Sequence, residues 1–537
     1  MQKVYCVLKK RKFQILTIII SGIVFGICLY AYLDSQSHIY VSFVESSIND
    51  DVYEVKDNNY DIFDEDYQNA VDEELVELMK EANVKQPVLI YNPYGTNNNV
   101  INIYFGTSVD EVEYKIEVDG FVDYSQKLKT NEEDGYQIIG LISGKTNQVT
   151  IVADAQTYQY TFEMPESTSD IDNQIDIENG ESQEELTDGL FAMMGKETRS
   201  NIFLYDNEGV LRSELIVDND SYRTDRILII DNQYVYTYSK KGFVFVNRQG
   251  KIERVLDLDG YYMHHDFIYD ESTHNLLILA NKNDDDTIED YVVSLNIETG
   301  KTTELVNMKD LLPEIYETAY DEDGVNTYGG DELDWIHLNS LSLMEDDSLL
   351  VSARELSTII KINKIYSQPE IDYMIGDESI YEDFDKELDL FLEKVGDFTP
   401  QAGQHSVIYS RDDSLDTGCY YVTIYNNNFG NMVTRSSYDW SNIEGVGTYA
   451  KGTNSYFYKY LINENKGTYT LVQKIDLPYS AIVSSVEYYE SHIQTCSGRD
   501  GSFGEYDSDG LLIRQYNFDV ESHVYRVMKY SFDLWFE

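Results

Sequence analysis

The sequence is poor in basic residues and in cysteine. Only 40 of its 537 residues are Lys or Arg, against 97 that are Asp or Glu, which leaves a formal net charge of −57. A field of that sign repels phosphate backbones and argues against nucleic acid as a partner. Four cysteines exclude a disulfide-stapled scaffold. Apolar residues at 42% suffice for packed cores, and the length predicts two or more domains.

A long apolar run extends from Phe13 to Leu33 and contains no charged residue. As a helix it would span roughly 30 Å, one hydrocarbon core. Residues 1–12 form a basic tail without acidic residues, which places this end in the cytoplasm and the remainder on the extracellular face. A cleaved signal peptide is the alternative, but the run exceeds a usual signal core and no small-x-small site follows it. The sequence therefore predicts an uncleaved, single-pass anchor in the cell membrane.

Three segments follow the apolar run. Residues 34–85 are acidic and predict a stalk with one amphipathic helix, because apolar residues recur there at helical spacing. Those residues are Val71, Leu75, Leu78 and Met79. Short apolar runs separated by Gly and Asn predict an all-β module over 86–166. Residues 167–195 are acidic and lack a core period, which predicts a linker.

Beyond residue 196 a strand, a turn rich in Asn, Asp and Gly, and a second strand recur. The six repeats lie at 203–211, 245–252, 295–302, 360–366, 460–470 and 505–512. Most follow one another at about 40 to 65 residues, as four-stranded blades require, and the long interval after 366 must hold an insertion. The pattern predicts a six-bladed β-propeller over 196–537. The Asp-rich turns lack the Glu of a calcium-binding EF-hand, so turn chemistry accounts for them.

The eight histidines divide into two groups. Four stand singly and predict surface or packing roles: His38, His274, His492 and His523. The others lie in 262–266, 334–340 and 402–408, each leading into an apolar strand. The innermost strands of a propeller start near one mouth of its channel, so these histidines can converge there with Arg354, which follows another strand.

Such a set predicts anion chemistry. Neutral imidazole is a nucleophile near pH 7, and His and Arg donors hold an anion without a metal. Three histidines would also suit zinc. Arg354 argues against zinc, because its cation would repel a metal in the same pocket. Taken singly, each of these residues is more often structural than functional, and only the set indicates a site.

The ordered segments resemble the bacterial aryl-sulfate sulfotransferase family. They are His264-His265-Asp266, Asp334-Trp335-Ile336-His337-Leu338-Asn339-Ser340, Leu350 to Arg354, and Gly403-Gln404-His405. Residues 86–97 are similar to the start of the family's amino-terminal β-sandwich domain, and Glu505-Tyr506-Asp507 and 525–530 extend the likeness to about residues 70 to 537. The resemblance implies an all-β protein with a small β-sandwich before the six-bladed propeller, and transfer of sulfuryl groups from a phenolic sulfate ester to another phenol without a nucleotide donor.

The resemblance also implies roles for particular residues. His405 would be the nucleophile that forms a transient sulfohistidine, and His337 and Arg354 would grip the sulfuryl oxygens. One of His264 or His265 completes the cluster, and His265 is preferred because it directly precedes Asp266. Asn339 would be a substrate-binding donor in the pocket. Aryl sulfates and phenols are then the small-molecule partners, ping-pong kinetics are expected, and no cofactor or metal is required.

Two features depart from the family. Relatives often carry Tyr-Ser-Pro-x-Thr-Ser, whereas residues 479–484 lack the proline and have Val483 in place of Thr. Periplasmic members are soluble, whereas this chain is predicted to be anchored. Two other functions stay open: a membrane-tethered, non-catalytic binding propeller, and an aryl sulfatase with water as the acceptor. A homodimer and a Cys419 to Cys496 disulfide are also undecided by the sequence.

Overall fold

The computed structural model describes residues 39–536, except for 57–59, 81, 131–134, 170, 196–200, 218–223, 321–331 and 448–453. The predicted basic tail and membrane segment, together with His38, lie outside the described residues. Within these ranges, no helix has both the length and the apolarity that crossing a bilayer requires.

The described chain is an all-β protein with few helices, as the sequence predicts. Its α-helices are α1 Glu65–Met79, α2 Met308–Leu311, α3 Pro313–Thr318 and α4 Asp385–Leu388, and short 3₁₀ helices lie at Glu378–Tyr381 and Trp440–Asn442. The described strands form eight sheets of four or five strands each. Two of these sheets belong to the amino-terminal part and six to the repeat region.

The amino-terminal part consists of two facing sheets. The first contains β1 Phe43–Glu45, β2 Val52–Val55, β3 Val88–Tyr91, β4 Val100–Tyr104 and β7 Gly135–Ile139. The second contains β5 Val112–Glu117, β6 Tyr124–Leu128, β8 Thr146–Ala153 and β9 Gln156–Glu163. Buried and outward-facing residues alternate along β5, as expected for a strand with one face on the core. The apolar core between the sheets continues into the repeat region, where it includes Leu204 and Tyr234.

The segment expected to be a stalk packs onto this amino-terminal part. Strand β2 pairs in parallel with β3, and α1 connects the two strands. The helix is capped by Asp64, whose side chain accepts from Asp66 N, and it buries Val71 and Leu75 as their spacing predicts. Its apolar face therefore lies against the fold, and residues 43–56 and 60–79 are part of a domain and not a free stalk.

The repeat region consists of six sheets with four consecutive antiparallel strands each, apart from the first, which takes its fourth member from the carboxyl end. The first sheet is β11 Leu190–Met194, β12 Ile202–Tyr205, β13 Leu211–Leu215 and β35 Arg526–Tyr530. The second is β14 Leu228–Ile230, β15 Gln233–Ser239, β16 Gly242–Val246 and β17 Ile252–Asp257. The third is β18 Tyr261–Asp270, β19 Asn275–Lys282, β20 Tyr291–Asn296 and β21 Thr302–Asn307.

The remaining three sheets repeat this arrangement. The fourth is β22 Leu338–Leu343, β23 Leu349–Ala353, β24 Thr358–Asn363 and β25 Glu370–Ile375. The fifth is β27 His405–Ser410, β28 Cys419–Asn426, β29 Ser455–Asn463 and β30 Thr468–Leu477, with β26 Glu393–Lys394 at its edge. The sixth is β31 Ser485–Tyr489, β32 His492–Ser497, β33 Ser502–Tyr506 and β34 Leu512–Asn517, with β10 Asp176–Asn179 at its edge.

Each predicted hairpin is the outermost hairpin of one of these sheets. In all six pairs the register shifts once, and in four of them the shift lies close to the turn. In β20–β21 and β29–β30 it lies farther along the strands. The side chains of Asp206 and Asp507 accept backbone N–H groups within their own turns, which is turn chemistry. The insertion expected between 366 and 460 contains α4 and β26.

The segment predicted to be a linker contributes to two sheets. Strand β10 pairs with β34, and β11 pairs with both β12 and the carboxyl-terminal β35. Residues 176–179 and 190–194 are therefore part of the sheet region, which begins earlier than residue 196. The β11 to β35 pairing joins the two ends of this region in one sheet.

The first strands of the third to sixth sheets lie side by side, because β18 contacts β22, β22 contacts β27, and β27 contacts β31. Strand β31 in turn contacts β35 at the edge of the first sheet. This arrangement brings residues distant in sequence to one place. Cys419 and Cys496 are both free thiols, so the disulfide that the sequence left undecided is not formed.

Candidate functional site

The predicted histidine segments lie at the irregular starts of three first strands. The pairing register of β18, β22 and β27 is interrupted within each segment. One non-glycine residue in each segment has positive φ, namely His265 at 54°, His337 at 54° and Ser406 at 57°. A bulge leaves a residue outside the ladder and redirects its side chain. The third and fourth sheets thus place a histidine at the positive-φ residue, and in the fifth sheet His405 directly precedes that residue.

These histidines form one buried cluster. His264 Nδ1 lies 3.0 Å from His265 Nδ1, and the ring centroid of His265 lies 5.0 Å from that of His337. The Tyr525 ring lies 5.5 Å from His265 and 6.4 Å from His405. His405 is 3% exposed. The structure therefore brings together the four histidines that the sequence singled out, with His265 between His264 and the remainder.

The Nδ1 atom of His405 has two acceptors. It lies 2.8 Å from Asn427 Oδ1 and 3.2 Å from the carbonyl oxygen of Gly403. Since both partners accept, Nδ1 carries the proton. In a neutral ring the lone pair is then on Nε2.

The ring of His405 is neutral at physiological pH. Burial, the largest cause, lowers its pKa well below 6.5, and the hydrogen bond to Asn427 opposes this only in part. Positive charge on His337, Arg354 and Arg526 lowers the pKa further. An unprotonated Nε2 next to fixed cations is suited to attack an electrophile that carries negative oxygens.

His337 has the opposite charge state. Its Nδ1 lies 2.6 Å from Asp334 Oδ2 and 2.7 Å from Glu289 Oε2. Burial alone would lower its pKa, but the two carboxylates outweigh that effect and raise the pKa to about 10. His337 is therefore an imidazolium, and its charge is available next to His405.

Arg354 supplies a second cation. Its backbone N–H donates to the carbonyl oxygen of His337 at 3.0 Å, which ties the two residues together. Its guanidinium lies 3.3 Å from Glu355 Oε2, and the side chain is buried. Burial raises the pKa of Glu355 to about 7, although Arg354 opposes the shift. A guanidinium keeps its charge under these conditions.

Asn339 forms hydrogen bonds with the backbone next to His405 and with Tyr525. Its Nδ2 donates to the carbonyl oxygen of Gln404 at 2.8 Å, and its own carbonyl accepts from Tyr525 Oη at 3.0 Å. The sequence predicted Asn339 as a substrate-binding donor, but one of its two amide hydrogens binds the backbone of Gln404, the residue before His405.

Asp266 anchors two arginines beneath the cluster. Its Oδ1 lies 2.7 Å from Arg526 Nη1 and 3.1 Å from Arg226 Nε. Burial would raise the pKa of Asp266, but the two guanidinium groups outweigh it and lower the pKa. Its other oxygen accepts from Leu341 N at 3.4 Å, which links the third sheet to the fourth.

Two sets of side chains could bring three ligand atoms to a cation: His264, His265 and Glu289, and Glu289, Asp334 and His337. In the second set the His337 nitrogen lies 2.6 and 2.7 Å from the carboxylate oxygens. Two ligands of one tetrahedral zinc would be separated by about 3.3 Å at the usual bond lengths. The Asp334 distance is that of an N–H···O hydrogen bond, and Glu289 adds a second negative charge beside the same nitrogen, so the two carboxylates hold a proton on His337.

The described single histidines lie elsewhere, as the sequence predicts. His274 is exposed and its Nδ1 lies 3.3 Å from Tyr269 Oη, and His523 contacts Ser522. His492 contacts Glu505 and Glu184 in the sixth sheet.

Sequence reasoning missed two residues of the cluster. Glu289 lies just before β20 and gives no local signal. Asn427 is the middle of three consecutive Asn residues at the end of β28, and a polar run at a strand end could have indicated it.

The family model described as Arylsulfotransferase (ASST) matches residues 176–528, which start at β10 and end within β35. No curated protein matches the chain. A streptogramin B lyase structure is similar at 10% identity and a TM-score of 0.32, over 65% of this chain and 89% of that chain. A protein of unknown function from Bacteroides caccae has 10% identity and a TM-score of 0.37, over 64% and 99%. A catalytically inactive virginiamycin B lyase from Staphylococcus aureus with quinupristin has 9% identity and a TM-score of 0.30, over 64% and 100%. With TM-scores below 0.5, these three likenesses support no conclusion about the function of this chain.

Proposed function

The chain belongs to the arylsulfotransferase family, and on that premise we propose that it moves a sulfuryl group from a phenolic sulfate ester to an acceptor phenol through a sulfohistidine at His405. The observation that carries this proposal is the pairing of a neutral His405 with cationic His337. No nucleotide donor is needed, because the ester itself supplies the group. We also propose that the six sheets of the repeat region are the blades of one propeller, with the cluster at its centre.

In the first half-reaction the lone pair on His405 Nε2 attacks sulfur. An N–S bond forms, the S–O bond to the aryl group breaks, and the electron pair leaves with the phenolate oxygen. Charge spreads over three sulfuryl oxygens, as in phosphoryl transfer. The imidazolium of His337 and the guanidinium of Arg354 are fixed cationic donors for those oxygens.

In the second half-reaction an acceptor phenol gives up its proton and its oxygen attacks the same sulfur. The N–S bond breaks and its electron pair returns to Nε2, which restores neutral His405. The proton that the acceptor loses balances the one that the departing phenolate takes up. Donor and acceptor use the site in turn, so ping-pong kinetics follow.

The test uses the full chain in detergent with 4-nitrophenyl sulfate, with and without phenol, and His405→Gln as the control. We expect release of 4-nitrophenolate that depends on phenol and is matched by phenyl sulfate. Release without phenyl sulfate would favour the sulfatase. A folded protein that releases no 4-nitrophenolate and retains no sulfate label would favour the binding propeller.

We propose that residues 13–33 anchor the chain in the cell membrane with residues 34–537 outside. The support is the uncharged run behind a basic tail. Full-length protein should resist alkaline extraction from membranes, whereas a chain that lacks residues 1–33 should be released. Release of both would contradict the anchor.

A further inference from the structure

Asn427 is held in one orientation by the backbone. Its Nδ2 donates to the carbonyl oxygens of Ser480 at 2.8 Å and Val483 at 2.9 Å, and the side chain is fully buried. A flipped amide would turn its oxygen toward two carbonyl oxygens, which cannot donate. Asn427 Oδ1 therefore faces His405 Nδ1 and can only accept.

The loop that provides these carbonyls is rigidly built. Val483 and Ser484 have positive φ values of 55° and 88°, and the first is a β-branched residue, for which this conformation is strained. Ser484 Oγ donates to Ser480 Oγ at 2.8 Å, and Ser480 N donates to Ser455 Oγ at 2.9 Å. These hydrogen bonds hold the loop in place.

The location of the His405 proton matters in both half-reactions. A proton on Nδ1 leaves the Nε2 lone pair free to attack sulfur. After transfer the same proton makes the ring a sulfo-imidazolium, so that neutral imidazole leaves when the N–S bond breaks. Without that proton the leaving group would be imidazolate, a far poorer one.

On the basis of the proposed function, we propose that Asn427 is a positioning residue that keeps the proton of His405 on Nδ1, both in the free enzyme and in the sulfated intermediate. Loop 480–484 orients Asn427, and Asn427 orients His405. The ring of His405 gains positive charge as the N–S bond forms. The hydrogen bond that Asn427 Oδ1 accepts from Nδ1 becomes stronger as that charge develops.

The charges that face His405 come from three directions. His337 precedes β22, Arg354 follows β23, and Arg526 lies on β35 with Asp266 as its counter-ion. The Tyr525 ring packs at the edge of His405. None of these groups is altered by a substitution at Asn427, so a change in His405 titration reports on Asn427 itself.

The test compares full-length wild type with Asn427→Asp, Asn427→Leu and the matched control Asn428→Asp. Asn428 neighbours Asn427 but donates to the carbonyl of Asn454. The first measurement is ¹⁵N NMR of histidine-labelled protein, with His405 assigned from the signal lost in His405→Gln. We expect a neutral ring protonated on Nδ1 in wild type. In Asn427→Asp the carboxylate should raise the pKa of His405 by about one to three units, and Asn428→Asp should leave it unchanged.

The second measurement is the pH profile of each half-reaction. In Asn427→Asp the acid limb of 4-nitrophenolate release should move to higher pH, with activity largely recovered above that limb. In Asn427→Leu the transfer from sulfohistidine to phenol should slow by about 10- to 100-fold without that movement. A merely structural Asn427 would give the same loss in both variants at every pH.

The outcomes separate the two proposals. A wild-type ring protonated on Nε2, or a His405 titration that is the same in wild type and Asn427→Asp, overturns the role of Asn427. Absence of 4-nitrophenolate release by wild type overturns the proposed function, while the NMR result still decides where the proton lies.

Discussion

Asp334 Oδ2 lies 2.6 Å from His337 Nδ1, and both side chains are buried. Together with Glu289, this carboxylate keeps the imidazole protonated and raises its pKa to about 10. An imidazolium carries a proton on each nitrogen, so His337 is a cation with an N–H group on both sides of the ring. A chain with a net charge of −57 thus places local positive charge at its candidate site by using two of its acids to protonate a histidine.

Replacing Asp334 by Asn should lower the pKa of His337. The imidazolium exists below its pKa, so wild-type transfer should persist as pH rises toward about 10, and transfer by Asp334→Asn should fall at a lower pH. At pH 9 we expect kcat/KM to drop by about 10²- to 10³-fold, with a smaller loss at pH 6. Rates measured from pH 5 to 10 test this, with exposed Asp346→Asn as the control. Parallel profiles for wild type and Asp334→Asn would contradict it.

Replacing His405 by Gln should abolish sulfuryl transfer. The amide retains polar contacts near Asn427 but lacks a nucleophilic nitrogen, so turnover should fall by at least about 10³-fold. The melting temperature should change little, because one hydrogen bond contributes only about 1 kcal/mol. His274→Asn is the matched control, since His274 is exposed and Asn tolerates its positive φ. Retained turnover in His405→Gln would show that another group attacks sulfur.

Arg354→Lys should impair catalysis although it preserves charge. A planar guanidinium can meet two sulfuryl oxygens at once, whereas an ammonium is a single point. We expect a loss of about 1–3 kcal/mol in transition-state stabilisation, or roughly 5- to 150-fold in kcat/KM. Arg411→Lys, on an exposed side chain, should leave the rate unchanged. Equal rates for wild type and Arg354→Lys would exclude a bidentate contact.

Replacing Asp266 by Asn should destabilise the fold. It would leave Arg226 and Arg526 without their shared counter-ion in a buried position. Breaking such a pair costs about 3–5 kcal/mol, which thermal unfolding would register. Asp413→Asn at an exposed position is the control. If Arg526→Met in the same chain restores no stability, the buried charge is not the cause.

The local parts of the fold were predictable because turns and strand alternation are short-range signals. All six outer hairpins, the spacing within α1 and the meeting of His264, His265, His337, His405 and Arg354 follow from such signals together with the repeat. Strand β10 could not be predicted from such signals, because all four of its residues are exposed and it pairs with β34 through the backbone. An acidic, exposed strand has the composition of a linker.

The contacts of the site residues with distant parts of the chain could not be predicted from the sequence either. Asn427 reaches His405 only because β27 and β28 pair, and its orientation depends on loop 480–484, which connects the fifth and sixth sheets. Glu289 reaches His337 across two sheets. Neither contact has a periodicity, so spacing could not indicate them.

His492 joins the sixth sheet to Glu184, which lies in the segment that precedes β11. His492 Nδ1 lies 2.6 Å from Glu505 Oε1, and Nε2 lies 3.0 Å from Glu184 Oε2. Burial would lower the pKa of His492, but these two partners outweigh it and raise the pKa above 6.5. The resulting stabilisation is fully present below pH 6.5 and is lost as pH rises through the folded-state pKa. The melting-temperature difference between wild type and His492→Gln should therefore be larger at pH 6 than at pH 9. Glu184→Gln should show a smaller change of the same sign, and exposed His274→Asn should show none. A pH-independent difference for His492→Gln would mean that packing alone holds this histidine.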